Sequence, residues 1–289
     1  MEKHWLLRAR DSSFLRDPRA RFGMAVLLLA LLLALCAPLV AVDPSLQRDI
    51  VATRFLPPLS TDQHGTFHLL GTDRFGRDVW ARLVFGARVS LGVGLLAVLL
   101  SVAIGLAVGA AAGFWQGRVG ITLLGLTDFA LALPRVVLLL LLASLWQPSA
   151  ALVIMVLGLT GWMTIARLVH SEVRTLAARP FVESAVALGV RGPRVLVRHI
   201  LPNALTPVIV AAALGVGNAI MLEAGLSFLG LGVQPPTPSW GNLIASGRDT
   251  LVNAPWVATA PGVALVLVVV AATLLGDAVR DRLDPAQRR

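Results

Sequence analysis

The sequence predicts an all-α polytopic membrane protein with about six transmembrane helices. Hydrophobic residues make up 56% of the 289-residue chain and charged residues only 14%, whereas soluble domains carry about 25% charged residues. The apolar residues also form uncharged runs of about 20 residues, and a helix of that length spans the roughly 30 Å hydrocarbon core of a bilayer.

The remaining composition excludes several other classes of protein. A single cysteine, Cys36, excludes an internal disulfide framework and a multi-cysteine metal cluster. The formal charge of +9 comes almost entirely from arginine, because Lys3 is the only lysine. The arginines lie between the apolar runs, where basic residues set topology and contact lipid headgroups. We therefore expect the lipid bilayer, and no nucleic acid, as a partner.

The first apolar run covers residues 22–42. The preceding Arg16, Arg19 and Arg21 would also fit a cleaved signal peptide. The run is longer than the roughly 7–15 apolar residues of a signal sequence. The bulky Leu35 also stands where a lipoprotein signal before Cys36 needs a small residue. We therefore predict an uncleaved first transmembrane helix.

Five further apolar runs follow, and the basic residues between them predict the topology. These spans are 89–112, 119–142, 150–170, 205–222 and 258–278. Six spans place both termini on one side, together with the loop between the fourth and fifth spans. All three segments are rich in arginine, which marks the cytoplasmic side. The chain is thus divided into a cytoplasmic N-terminal tail (1–21), a first transmembrane helix (22–42), an external segment (43–88), a membrane core (89–282) with a cytoplasmic loop (172–203), and a cytoplasmic tail (283–289).

The external segment is an exception to this rule, because it also contains arginines. Acidic residues offset much of their charge, although acids contribute little to topology. The arginines are Arg48, Arg54, Arg74, Arg77, Arg82 and Arg88, and the acids are Asp43, Asp49, Asp62, Asp73 and Asp78.

The second predicted helix carries small residues on one face. Ser101, Gly105, Gly109 and Gly113 recur every four residues. Small residues at this spacing let two membrane helices approach closely. The face fits either packing inside the bundle or a moving contact at a subunit interface, and we favour packing because the pattern is common.

The segment 179–203, with the sequence RPFVESAVALGVRGPRVLVRHILPN, predicts two short helices. Pro180 suits the first position of a helix, and Gly189 is expected to end it. Gly192-Pro193 turns the chain into a second short helix, which we expect to end at Leu201-Pro202.

The first of these helices is predicted to be amphipathic. Phe181, Ala185 and Leu188 form one apolar stripe. The small Ser184, Ala185 and Ala187 would let a partner protein close around the helix. The alternative is a helix that lies on the lipid headgroups.

This segment resembles the cytoplasmic motif of permease subunits of binding-protein-dependent ABC importers: Glu-Ala-Ala, three residues, glycine, nine residues, Ile-x-Leu-Pro. Glu183-Ser184-Ala185, Gly189 and His199-Ile200-Leu201-Pro202 stand at that spacing. The departures are Ser184 for Ala and His199 for Ile. Further stretches resemble the C-type permease of dipeptide, oligopeptide and nickel transporters, namely FLRDP (14–18), HLLGTDRFGRD (68–78), EAGLSFLGLG (223–232), Pro235-Pro236, Trp240-Gly241 and the closing motifs of 276–285.

The resemblance implies the fold of a type I ABC importer permease in a bacterial or archaeal plasma or inner membrane. It also implies a heterodimer with a sister permease, two ATPase subunits that bind the coupling loop 172–203, and an extracytoplasmic substrate-binding protein. Peptides are the expected cargo, and nickel chelates, sugars and other solutes stay open. The residues expected to couple to the ATPase are Phe181, Glu183, Ser184, Ala185, Leu188, Gly189, His199, Leu201 and Pro202.

No cofactor is expected on this chain, and ATP and Mg²⁺ are expected on the partner ATPases. A Walker A loop needs a lysine after its glycines, and Lys3 follows no glycine-rich segment. An intramembrane enzyme is a weaker alternative, because Gly225-Leu-Ser-Phe-Leu229 lacks the second glycine of a nucleophile elbow. His64 and His68 are four residues apart, but Gly65 between them disfavours a helical metal site.

Another alternative is a stand-alone ion-coupled secondary transporter. Asp128 and Arg135 are seven residues apart and would share one helix face. Ionisable groups within a span are functional candidates, and Pro134 beside them could kink the helix. The external segment 223–256 is expected either to close the pathway or to form a structural re-entrant loop.

Overall fold

Long apolar helices make up most of the chain. The computed structural model describes residues 16–47, 49–115 and 117–283, so the predicted tails over 1–15 and 284–289 lie outside the described residues. Within the described ranges, five helices are long and apolar enough to cross a membrane, and a bent pair raises the number to six if it counts as one span. The predicted all-α polytopic fold is confirmed.

Four of the helices extend past the predicted apolar runs, whereas the first helix ends at Leu35, short of the predicted residue 42. The elements are α1 (Pro18–Leu35), α2 (Ala37–Val40), α3 (Ile50–Thr53), β1 (Ser60–Thr61), β2 (Phe67–His68), α4 (Val79–Phe114), α5 (Arg118–Ala132), α6 (Arg135–Ser144), α7 (Ala150–Ala177), α8 (Pro180–Ala187), α9 (Gly192–Val195), a π-helical turn (Leu196–Ile200), α10 (Leu201–Phe228), α11 (Trp240–Arg248) and α12 (Trp256–Leu283). Strands β1 and β2 pair antiparallel. Helix α1 begins before the predicted residue 22, because Asp17 caps it by accepting from the Arg19 N–H and Pro18 fits its first turn.

The third predicted span, 119–142, is not one continuous helix. Helix α5 ends at Ala132, α6 begins at Arg135, and the two are bent by 86°. Leu133 between them has an extended backbone, with ψ at 134°. The ring of Pro134 disfavours a helical conformation in the residue before it, which explains the break.

The small-residue face of α4 packs against α7. A Cβ added at Gly105 would lie 2.6 Å from the Ile165 Cβ. A Cβ added at Gly113 would lie 2.9 Å from the Val173 Cβ. Residue numbers rise together on both helices, so α4 and α7 run parallel. The interpretation of this face as packing within the bundle is confirmed.

Helix α10 returns in the opposite direction, and α12 reverses again. The short segment 178–200 joins α7 to α10 at one end of the bundle. Gly217 and Leu214 of α10 then pack against Ala272 and Gly276 of α12 in reversed order along the chain. The end of α12 therefore lies at the same end of the bundle as the loop 172–203.

Helix α1 brings the N-terminal side to that end as well. It packs along α12, and Arg19 at its start donates a hydrogen bond to Asp281 at 2.9 Å. Both ends of the described chain and the loop 172–203 thus lie together. The segment 43–78, helix α11 and the loops around them lie at the opposite end, where α11 packs against α10 and α12.

Asp73 forms buried ion pairs with two arginines, Arg77 and Arg82. Asp73 accepts from the Arg77 Nε at 2.8 Å, and its Oδ2 lies 3.7 Å from the Arg82 Nη1. All three side chains are buried. A single carboxylate offsets only one of the two guanidinium charges, so the buried cluster remains positively charged.

A second buried cluster joins the hairpin to α4. The His68 Nδ1 lies 2.7 Å from the Asp78 Oδ2, and its Nε2 lies 3.6 Å from the Asp62 Oδ2. Asp78 also caps α4 by accepting from the Ala81 N–H at 2.6 Å. Burial raises the pKa of Asp62, but hydrogen bonds from the backbone N–H groups of the segment 64–66 outweigh it and leave the pKa below its ordinary value.

We predict that Gly109→Ala destabilises the bundle by about 1–3 kcal/mol, because an added methyl would overlap the Ala166 carbonyl oxygen and lie 2.8 Å from the Val169 Cβ. Gly92→Ala on the same helix is the control, since nothing lies within 4 Å of its added carbon. The measurement is the thermal unfolding midpoint in detergent. Equal midpoints for the two variants would contradict the packing described for α4 and α7.

We predict that Asp73→Asn lowers the free energy of unfolding by roughly 3–5 kcal/mol, because it leaves Arg77 and Arg82 buried without their counter-charge. Asp249→Asn is the matched control. Asp249 pairs with Arg248 at 3.1 Å on the surface, where an ion pair contributes only about 0–1 kcal/mol. Denaturant titration of both variants is the measurement, and a loss of less than 1 kcal/mol for Asp73→Asn would refute the prediction.

Candidate functional site

Helix α8 begins and ends as its sequence predicts. Arg179 has an extended backbone and precedes Pro180 in the first turn. An N–H at this position has no carbonyl partner within the helix, so its absence in proline costs no hydrogen bond. At the other end Gly189 has φ +80°. The Gly189 and Val190 N–H groups donate back to Val186 and Ala185 at 2.9 and 3.1 Å. This pair of bonds is the Schellman motif, which stops the helix sharply.

The second short helix does not end where it was predicted to end. Helix α9 passes through the π-helical turn directly into α10, and the expected stop at Leu201-Pro202 is wrong. The Leu201 N–H donates to the Leu196 carbonyl, five residues back. This wider turn precedes Pro202, whose ring and missing N–H disrupt normal helical bonding. The loop is therefore rigidly continuous with α10.

The inner face of α8 is anchored in the bundle. Val182 and Ala185 are buried in a cluster with Val173 of α7 and with Val195 and Ile200 of the segment leading to α10. Helix α8 therefore cannot move without displacing the adjoining ends of α7 and α10. Ala185 faces this cluster, so it does not offer its side chain to a partner.

The predicted apolar stripe of α8 divides between two faces. Ala185 is buried, whereas Phe181 is exposed and Leu188 is 84% exposed. Leu188 is the C-cap residue, so the helical spacing does not continue to it. The outer face of α8 is formed by the exposed Phe181, Glu183, Ser184, Val186 and Leu188.

Sequence reasoning missed Val186, which adds an exposed apolar side chain to the outer face. The sequence carries no signal for this exposure, because Val186 stands four residues after the buried Val182 and would share its helix face. Ser184 is held within the helix, because its hydroxyl donates to the Pro180 carbonyl at 2.9 Å.

The remaining predicted coupling residues lie at the start of α10. His199 and Leu201 are half-buried, and Pro202 is exposed. The His199 carbonyl accepts from the Asn203 side chain at 2.6 Å. These residues support the junction between the loop and α10, whereas the outer face of α8 is formed by residues 181–188.

Asp128 and Arg135 do not share a helix face, so that expectation is wrong. The break at Pro134 separates them. Asp128 is instead half-buried, and its Oδ1 lies 3.2 Å from the Nη2 of the exposed Arg167. Arg135 lines a cavity of about 170 Å³ between α4, α6, α7 and α10.

The other candidate sites take up structural roles. Among the described residues, no group of three or more His, Cys, Asp or Glu side chains is placed to hold a metal ion. His68 lies in the buried cluster with Asp62 and Asp78. The Ser227 hydroxyl of the nucleophile-like segment donates to Glu223 at 2.7 Å and accepts from the Val233 N–H at 3.0 Å.

We predict that Gly189→Ala loosens α8 without displacing any neighbour. Its added carbon meets nothing within 4 Å, so the cost is the strain of a positive φ, about 1–2 kcal/mol. Hydrogen exchange of the α8 amides should accelerate roughly 5–30-fold, the change that such a free energy allows. The control is Gly192→Ala, whose added carbon would lie 3.4 Å from the Phe114 ring with no positive φ. Unchanged α8 protection in Gly189→Ala would disprove the role given to this turn.

Family comparisons agree with this architecture. Residues 101–289 match the family described as the binding-protein-dependent transport system inner membrane component. Residues 10–58 match the N-terminal TM domain of oligopeptide transport permease C. Together these two matches cover most of the chain.

Several similar proteins align with this chain over nearly the full length of both proteins. A probable peptide ABC transporter permease protein, y4tQ, of Sinorhizobium fredii is 43% identical over 95% of this chain and 91% of its own length. The di/tripeptide transport system permease protein DppC of Pseudomonas aeruginosa is 39% identical over 94% and 90%. The oligopeptide transport system permease protein OppC of Mycobacterium bovis is 37% identical over 95% and 93%.

The fold has also been seen in a solved structure. An inward-facing structure of the MetNI methionine ABC transporter covers 70% of this chain with a TM-score of 0.57, and 96% of that chain is matched. At 19% identity this likeness concerns the fold, and it confirms the predicted ABC importer permease architecture. Taken with the family match and the relatives, it shows that this chain belongs to the family of inner-membrane components of binding-protein-dependent transport systems, a membrane transport subunit rather than an enzyme.

Proposed function

We propose that this chain is the permease subunit through which an ATP-driven importer moves di- and oligopeptides or a related solute. The observation that carries the proposal is the construction of α8. Its inner face is fixed to α7 and α10, and its outer face exposes Phe181, Val186 and Leu188. Apolar side chains exposed on a rigid helix are typical of a protein contact site.

The outer face of α8 is proposed to dock on a separate ATPase subunit. ATP and Mg²⁺ would be bound there, and nucleotide-driven closure would push on α8. Because Val182 and Ala185 pack against the ends of α7 and α10, such a push would be transmitted to two helices that line the central cavity. The loop 172–203 then acts as a lever and has no catalytic residue of its own.

The complete transporter is proposed to contain this chain, a sister permease, two ATPase subunits and an extracytoplasmic binding protein. The end of the bundle with the loop 172–203 carries Arg174, Arg179, Arg191, Arg194 and Arg198. This density of basic residues supports a cytoplasmic location for that end, and both termini would share it in a bacterial inner membrane.

The proposed cargo rests on the relatives. The three described above are named as peptide, di/tripeptide and oligopeptide permeases. The stand-alone ion-coupled alternative receives less support, because Asp128 pairs with Arg167 and the break at Pro134 separates it from Arg135.

We predict that Leu188→Asp weakens the ATPase subunit's affinity for the permease by about 10–30-fold, the effect of losing a central apolar contact. Glu183→Arg should also reduce binding-protein-stimulated ATPase activity, because it reverses a charge on the same face. The control is Val252→Asp, which is 96% exposed at the opposite end of the bundle. The measurement is ATP hydrolysis by the reconstituted complex with and without binding protein.

Stimulated hydrolysis that is lost in Leu188→Asp and Glu183→Arg but kept in Val252→Asp is the expected result. Full stimulation in both α8 variants would remove the basis for docking at this face. A wild-type chain that purifies with no ATPase subunit and shows no binding-protein dependence would overturn the proposed function as a whole.

A further inference from the structure

A cavity of about 170 Å³ lies between α4, α6, α7 and α10, and it opens at the surface of the chain, where Arg135, Thr164 and Asn218 are exposed. Its walls are mostly apolar or glycine, but four polar side chains also line it. They are Ser101, Arg135, Thr164 and Asn218. Ser101 is buried, and its hydroxyl is within hydrogen-bond distance of the Ala97 and Gly158 carbonyls, at 3.0 and 3.2 Å.

The other three polar side chains have no internal partner. Among the described residues, none makes a hydrogen bond or an ion pair with the side chain of Arg135, Thr164 or Asn218. Polar groups at membrane depth are costly unless something satisfies them, and they face water-filled cavities or pathways when they occur. These groups are therefore available to a molecule that enters the cavity.

Arg135 lies against α7 because α5 and α6 are bent. The bend of 86° places Arg135 at the start of a separate helix. A Cβ added at Gly161 would lie 3.5 Å from the Arg135 Nη2. The same added carbon would also contact the Ser101 side chain. Ser101 lies centrally in α4 and Gly161 in α7, and transporters commonly bind their cargo near the membrane midplane.

We propose that this cavity is a carboxylate-binding subsite of the translocation pathway. The Arg135 guanidinium binds the C-terminal carboxylate of the passing peptide, and the Asn218 amide hydrogen-bonds its last peptide group. A guanidinium presents two parallel N–H groups that match the two oxygens of a carboxylate. This assignment rests on the proposed peptide cargo and adds which end of the peptide the permease recognises.

The size of the cavity fits one end of a peptide. Pockets that enclose a whole drug-sized ligand measure roughly 300–1,000 Å³, and this cavity is smaller. A site in a pathway must also release its cargo, so contacts to a single terminal group suit it better than full enclosure. The side chains of the peptide would remain outside the subsite, which permits varied sequences.

The test uses the full transporter in proteoliposomes, with binding protein saturated either by trialanine or by trialanine amide. In the wild type we expect faster ATP-driven uptake of the free acid. In Arg135→Gln, uptake of the free acid should fall by about tenfold, as expected for losing a charge-assisted hydrogen bond. The ratio of acid to amide uptake should approach one. Arg135→Lys keeps the charge and should recover most of the preference.

Arg118→Gln is the matched control, because it makes the same loss of charge at the start of α5, outside the cavity lining. Its acid-to-amide ratio should equal that of the wild type. Binding-protein-stimulated ATPase activity should persist in Arg135→Gln, so that more ATP is used for each peptide transported. This readout separates a cargo contact from a structural one.

Two results would overturn the subsite. An Arg135→Gln transporter with an unchanged acid-to-amide ratio would show that the guanidinium does not read the carboxylate. Loss of subunit assembly and ATPase activity together with uptake would show that Arg135 pairs instead with an acid of the sister subunit. A wild type that stimulates ATPase but imports no peptide would refute the peptide cargo, and the ratio would then have no meaning for this chain.

Discussion

Water is absent from the hydrocarbon core of a membrane, so each polar group placed there must find a partner inside the protein. A group buried in protein has the same need, and the fully buried Glu223 near the end of α10 accepts hydrogen bonds from Ser90 at 2.8 Å and Ser227 at 2.7 Å. Those serines belong to α4 and α10, and the Ser90 oxygen also accepts from the Trp240 N–H of α11 at 3.2 Å. One carboxylate thus ties three elements together.

The same constraint explains the close contact of α4 and α7. Apolar side chains gain little by leaving lipid for a protein interior, so membrane helices associate through close packing of small residues. Gly105, Gly109 and Gly113 provide that packing along α4. The two helices therefore form one closely packed pair.

The sequence predicted those parts of the fold that depend on local chemistry. The start of α8 at Pro180, its stop at Gly189 and the small-residue face of α4 follow from backbone preferences and spacing. The predictions failed where distant contacts decide the outcome. Which face of α8 is buried depends on Val173 and Ile200 of neighbouring segments. The continuation through Pro202 was missed for a local reason, because a π-helical turn precedes the proline and no sequence pattern indicated it.

The position of Arg135 illustrates the same limit at the candidate cargo site. Its spacing from Asp128 placed both on one helix, yet the break at Pro134 directs Arg135 into the cavity beside Gly161. Helix α7 then connects the two functional proposals. Val173 packs beneath α8, and Thr164 lines the cavity, about 14 Å away at 1.5 Å per residue. A push on α8 would therefore reach the cavity through less than three turns of a helix that its packing against α4 keeps straight.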